Sequence, residues 1–132
     1  MHALTICQPW AWAICEQVKL IENRRWKTPH RGLLLIHAGK SHDFLQSVVE
    51  DGLGNDWPVP AELVFGALIG AVDLYDCQKL SEVRGKPFAE GPWCFLFRHV
   101  RKFPKPIPLR GEQGIFRVDD SLVPHQWLKI AN

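Results

Sequence analysis

Lys19-Leu20-Ile21-Glu22-Asn23-Arg24-Arg25-Trp26, the turn-like Lys27-Thr28-Pro29-His30-Arg31-Gly32, and the apolar run Leu33-Leu34-Leu35-Ile36 decide the fold class. They predict two short strands about a Thr-Pro turn, the second strand apolar enough to be buried. Upstream, Ala3-Leu4-Thr5-Ile6 reads as another buried strand. Pro9 then suits a first helical turn, because its missing N–H has no partner there anyway. From Pro9 to about Gln17 the helix is apolar nearly all round, which predicts burial. Downstream, Ser41 is a good N-cap, Phe44, Leu45, Val48 and Val49 share one helical face, and Gly52 fits the stop. A loop spans 53–65. Gly66 then opens a strand from Ala67 to Leu74, with Gly70 marking a bend. Cys94 to Val100 and Ile115 to Val118 complete the strands, while Pro104, Pro106 and Pro108 predict an extended edge or loop. Strands and helices in this order give an α+β fold with a curled sheet. The regular alternation of a parallel α/β fold is missing.

The chain has 132 residues, 46% hydrophobic and 23% charged, with six Trp and seven Phe against one Met. This predicts one domain over 1–132 with an aromatic-rich core. No apolar run approaches the roughly 18 residues of a membrane span, and the first residues lack a secretory signal's pattern. Cys7, Cys15, Cys77 and Cys94 form no C-x-x-C pair. The expectation is a cytoplasmic protein with reduced thiols, no metal and no cofactor. His37 and His42 flank Lys40 without metal-ligand spacing to any cysteine.

The net charge of +2 conceals a pattern. Residues 1–40 carry six basic side chains against two acids, 41–91 three against nine, and 92–132 seven against three. A closed fold is expected to bring the basic ends to one face. There Lys19, Arg24, Arg25, Lys27, Arg31 and Lys40 would rim a cleft with Arg98, Arg101, Lys102 and Arg110. Within the 20–26 strand, Glu22, Arg24 and Trp26 share a face with Thr28 just beyond, and Ile21 and Asn23 point the other way. An acid, a guanidinium and an indole in a row suit a heterocycle: the acid accepts from N–H groups, the indole stacks, and the arginine holds phosphate or carbonyl. The same spacing fits a cross-strand ion pair on a solvated face, and spacing alone leaves both open. Lys19 has the wrong parity for that face and must sit at the turn or a bulge before the strand; Asp73 is a candidate acid partner for it, with a solvated or otherwise ion-paired carboxylate as the alternative there. Trp10 and Trp12 diverge by about 200° on a helix, so one belongs to the core, and Trp10 is the ligand candidate.

Gln8-Pro9-Trp10-Ala11 followed by Lys19-x-x-Glu22-x-Arg24-x-Trp26-x-Thr28-Pro29-x-Arg31-Gly32 resembles the ASCH family, whose signature is G-x-K-x-x-E-x-R. The likeness continues through Leu35-Ile36-His37-Ala38, Gly66 to Leu74 and Pro106-Ile107-Pro108-Leu109-Arg110-Gly111. Within the family, the chain looks like the subgroup containing the ASCH domain of the activating signal cointegrator. Gln17 stands where the signature has Gly. The resemblance implies a PUA-like mixed β-barrel with flanking helices and a cleft beside the helix that follows the first strand. It also implies binding of RNA, single-stranded nucleic acid or a nucleotide-like ligand, in a transcription or translation setting. The implied ligand set is Gln8, Trp10, Lys19, Glu22, Arg24, Trp26, Thr28, Arg31 and Lys40. One bacterial branch hydrolyses the acetyl amide of N4-acetylcytidine, and another is linked to RNA cleavage. The amidohydrolase's catalytic lysine corresponds to Lys19, but its threonine falls on Glu22 and its acidic residue has no equivalent we can place. If the chain is a hydrolase, Lys19 and Glu22 are its catalytic candidates.

Overall fold

A computed structural model describes residues 1–42 and 59–130. Six strands form one sheet: β1 (His2–Ile6), β2 (Ile21–Arg24), β3 (Gly32–Ala38), β4 (Ala67–Lys79), β5 (Trp93–Pro108) and β6 (Ile115–Arg117). Their order across the sheet is β2-β5-β4-β3-β1-β6. Only β1 and β3 run parallel; all other neighbours are antiparallel. Helix α1 (Trp10–Cys15) follows β1, and the single turn α2 (Leu80–Val83) follows β4. Two short 3-10 helices, Asp120–Leu122 and His125–Leu128, follow β6. The expected α+β class with a curled sheet is present, and α1 starts next to Pro9. The helix expected after Ser41 lies outside the described residues, as does the 53–58 part of the loop expected over 53–65.

The sheet is apolar on both faces, which explains its continuous hydrophobic runs. Leu4, Ile6, Leu34, Ile36, Val72, Leu74, Phe95 and Phe97 pack with α1's Ala11 and Ile14 on the concave side. On the opposite side, Ala3, Leu35, Ala71 and Phe116 pack beneath Val123, with Trp127 and Leu128 against them. A third cluster, Ile21, Cys94 and Leu96, is covered by Val83 of α2. Each strand therefore alternates between two cores rather than between core and water.

Two strands run farther than expected. β5 passes through its prolines because the β4 register jumps from Leu68↔Ile107 to Gly70↔Lys102. Residues 103–106 are thus looped out of that ladder, where an amide donor is not needed. Gly70 sits at the jump because an added Cβ would lie 2.6 Å from Cys15 Sγ and 2.8 Å from the Arg101 carbonyl oxygen. No described helix is long and apolar enough to cross a membrane.

The sheet is a curled half-barrel, and its open seam matters. β6 pairs only with His2–Leu4. The Ile6 carbonyl accepts from Gly39 N on the β3 side, 2.9 Å. Successive carbonyls alternate in direction, so the Thr5 carbonyl faces the opposite edge, beyond the reach of β6. Arg24 of β2, at the far edge of the sheet, donates to it from Nη2 at 2.8 Å. A side chain thus bridges a seam that no backbone ladder closes among the described residues.

Candidate functional site

The site is assembled by the turn after α1. Val18 N and Lys19 N both donate to the Ala13 carbonyl, and Gln17 adopts a left-handed φ of 61°. This is the position where the family signature carries glycine, and left-handed geometry supplies the reason. The turn sets Lys19 beside the start of β2, where its Nζ donates to the Ile21 carbonyl at 2.6 Å and to Glu22 Oε1 at 2.7 Å. Glu22 is paired with Phe95 in the β2–β5 ladder, so it faces the concave core. Its other oxygen, Oε2, accepts from Arg24 Nε at 3.1 Å and lies 3.0 Å from Arg24 Nη2. Lys19 is 5% exposed and Glu22 9%. The Lys19 ammonium also stands 5.7 Å from the centre of the Trp10 ring. A buried acid thus holds two cations at the seam, and both of its oxygens are occupied.

Beside this network lies a cleft of about 500 Å³ lined by Thr5, Cys7, Glu22, Arg24, Trp26 and Lys40, among others. A second lobe of about 950 Å³ shares Thr5, Gly39 and Lys40 with it and extends to His37, Arg110 and Gly111. His37 is buried, with Nε2 2.6 Å from the Leu109 carbonyl and Nδ1 3.2 Å from Thr5 Oγ1. Since a carbonyl only accepts, Nε2 carries the proton and, in the neutral ring, the threonine hydroxyl donates to Nδ1. Gly111 fits against this pair because a Cβ there would fall 2.6 Å from Thr5 Oγ1 and 2.7 Å from His37 Cε1. Among the described residues Arg25, Lys40 and Arg110 have no ion-pair partner. They line the two lobes together with Arg24. Cys7 offers no ready thiolate: burial first, then the Glu22 charge, pushes its pKa up.

The remaining expected residues divide. Trp26 lines the first lobe, 36% exposed, with its ring edge-on to Phe95 at 5.1 Å. Trp10 packs edge-on against Phe88, above Lys19. Gln8 does not reach the cleft with its functional group. Its Oε1 accepts from Trp12 N at 2.9 Å and its Nε2 donates to the Val64 carbonyl at 2.8 Å, so it ties α1 to the chain near residue 64. Gln8 lines a separate, mostly apolar cleft of about 360 Å³ beside Trp12 and Phe103. Thr28 is buried and accepts from His30 N within its turn. Arg31 braces that turn through the Thr28 and His30 carbonyls and lies 3.5 Å from Asp76. Gln8, Thr28 and Arg31 are therefore scaffold, and the geometry does not gather them with Lys40.

Asp73 takes the ion-paired alternative rather than Lys19, binding His99 Nδ1 at 2.7 Å and Arg101 Nη1 at 3.2 Å. One expectation about charge needs correction. Of the C-terminal cations only Arg110 reaches the cleft. Arg101 is spent on Asp73 and the His99 carbonyl, with its Nε buried and without a partner among the described residues. Lys102 pairs with Glu16, and Arg98 stacks on Tyr75 at 5.0 Å. Their register on β5 against β4 turns them to other faces. Thr5, Gly39, His37 and Gly111 were missed as site residues. His37 and Gly111 lie in stretches that resemble the family, which is a usable signal, but the apolar neighbours of Thr5 give none. No cluster of three or more potential metal ligands occurs among the described residues.

Comparison with known proteins bears on this geometry. The ASCH domain profile matches residues 4–107. Activating signal cointegrator 1 of Homo sapiens is 29% identical over 137 aligned positions, which cover 96% of this chain and 23% of that protein. Its Mus musculus counterpart is 28% identical with the same coverage. The chain thus spans under a quarter of the length of these relatives. The crystal structure of ASCH from Zymomonas mobilis matches with a TM-score of 0.59 at 15% identity, covering 96% of this chain and 92% of that one. At that identity the likeness shows the fold alone, the same curled α+β sheet.

Proposed function

Since the chain belongs to the ASCH domain family, we propose that it is a binding module whose two-lobed basic cleft takes single-stranded nucleic acid, RNA in particular, or a nucleotide-like ligand. The observation that carries this reading is the set of cations without ion-pair partners, Arg25, Lys40 and Arg110, in lobes that meet at Thr5, Gly39 and Lys40. Cations without acids beside them attract phosphates and release counterions on binding. Trp26, a partly exposed indole in the first lobe, adds a surface on which a base can stack.

Lys19 acts here as a support. Both of its hydrogen bonds use Nζ as donor, and it is 5% exposed. Reaching a substrate would mean abandoning a buried carboxylate, so a lysine-dependent hydrolase is the weaker reading. The likeness to activating signal cointegrator 1 supports a transcription-related setting for such a module.

The test is titration with short single-stranded RNA and DNA at two salt concentrations, alongside chromatography of the incubated RNA and of N4-acetylcytidine. Binding should weaken with a log–log slope of about −0.7 per phosphate contacted, and both RNA and nucleoside should stay intact. Turnover lost in Lys19→Ala would instead establish the hydrolase.

A further inference from the structure

The first lobe has an asymmetry in its hydrogen-bonding chemistry. Its one carboxylate, Glu22, has Oε1 on Lys19 and Oε2 on Arg24. Asn23 is equally committed: Oδ1 accepts from Glu90 N and Gly91 N, and Nδ2 donates to the Phe88 carbonyl, each at 2.9 Å. The Thr5 hydroxyl gives its proton to His37 Nδ1, so what it keeps is a neutral oxygen acceptor. Donors, by contrast, remain. Arg24 spends Nε and Nη2 on Glu22 and Thr5, leaving Nη1 with no hydrogen bond among the described residues. Lys40 and Arg25 are without ion-pair partners there.

We infer that this lobe selects bases presenting a carbonyl oxygen, uracil or guanine, over those presenting an exocyclic amine at the same place, cytosine or adenine. This rests on the nucleic-acid reading above and adds a specificity to it. A carbonyl placed at Arg24 Nη1 makes a charge-assisted hydrogen bond. An amino group there sets donor against donor and leaves both desolvated and unpaired, which costs more than the bond itself is worth. Glu22 is therefore the residue that fixes the preference, without touching the base. By holding Nε and Nη2 it leaves Nη1 as the donor still to be satisfied, and with each oxygen already turned to a cation it is a poorer acceptor for an amino base than Arg24 is a donor for a carbonyl.

The experiment compares pentauridylate with pentacytidylate RNA, which match in charge and in ring size. In wild type the uridine oligomer should bind about tenfold tighter, the scale on which a good base contact discriminates. Arg24→Gln offers both a donor and an acceptor in the lobe, and should bring that ratio to about one. Should that variant fail to melt cooperatively, the wild-type ratio alone decides. Equal affinity, or tighter binding of the cytidine oligomer, overturns the inference while salt-dependent binding of both leaves the nucleic-acid reading standing. Failure of both oligomers to bind at low salt overturns the two together.

Discussion

The protein contains two networks in which one carboxylate holds two basic side chains, and they do different things. Glu22 sits on the concave core face between Lys19 and Arg24, and those cations go on to bond the Ile21 and Thr5 carbonyls. Asp73 sits on β4 between His99 and Arg101, whose further bond is to the His99 carbonyl in the same strand, β5. The first network bridges β2 to β1 across the sheet's open seam. The second joins neighbours that the β4–β5 ladder already holds. Whether an ion-paired acid belongs to a site therefore depends on what its cations reach next. A cation that reaches across a seam shapes a cleft, and one that folds back on its own strand does not.

Stability should separate the two most strongly. Glu22→Ala leaves Lys19 buried against carbonyl oxygen alone and frees the seam arginine, so it should cost about 3–5 kcal/mol, the cost of breaking a buried pair from one side. Asp73→Ala leaves Arg101 with one fewer acceptor but His99 open to water, and should cost about 1–3 kcal/mol. Urea denaturation of both variants measures this. Equal costs would mean that the seam contact contributes nothing beyond a local ion pair.

Binding should separate the surrounding cations. Lys40→Ala and Arg25→Ala should each reduce the salt slope for single-stranded RNA by about 0.7 while leaving stability within about 0.5 kcal/mol. Lys102→Ala and Arg98→Ala, on faces away from the cleft, should leave affinity and slope unchanged. A slope that responds to Lys102 as it does to Lys40 would place the nucleic acid across β5 rather than in the cleft.

The contrast between these networks also marks how far the sequence could be read. Strand parity placed Glu22, Arg24 and Trp26 on one face, and the Gly70 bend and the Pro9 start were legible because glycine and proline restrict the backbone locally. Parity could not say that this face is the core side; that follows from Glu22 standing opposite Phe95, a contact 73 residues away. The same gap misassigned Arg98, Arg101 and Lys102. Their destination depends on a three-residue offset in the β4–β5 register that no local pattern encodes. Gln8 is a buried amide with both ends satisfied, and in sequence such a group is indistinguishable from an available one.

Acid should act on the outer network in a defined direction. Burial alone would raise the Asp73 pKa, but hydrogen bonds from His99 and Arg101, and their charges, outweigh it and hold the group below the usual carboxylate range. A depressed native pKa stabilises the fold above the unfolded value of about 3.9, and that contribution is lost as pH falls through the native value. Unfolding free energy measured from pH 6 down to pH 2 should therefore fall more steeply in wild type than in Asp73→Asn. Parallel curves would show that the pair holds no differential free energy.

The smallest expected effect concerns the backbone that delivers each network. Both contain a left-handed residue that is not glycine: Gln17, two residues before Lys19, with φ 61°, and His99 itself, with φ 52°. Such a conformation costs an L-residue about 1–2 kcal/mol, and glycine escapes that cost while losing more entropy on folding. At Gln17 the side chain is exposed and makes no hydrogen bond among the described residues, so Gln17→Gly removes strain and nothing else. The net gain should be about 0.5–1 kcal/mol, with RNA affinity unchanged because Lys19 keeps its position. At His99 the same substitution also deletes the bond to Asp73, so relief and loss oppose and the variant should gain less or lose stability. Thermal melts of the two glycine variants side by side test the pairing. A Gln17→Gly protein less stable than wild type would mean that the glutamine supports the turn through its side chain. Lys19 would then owe its place to that contact rather than to the left-handed backbone alone.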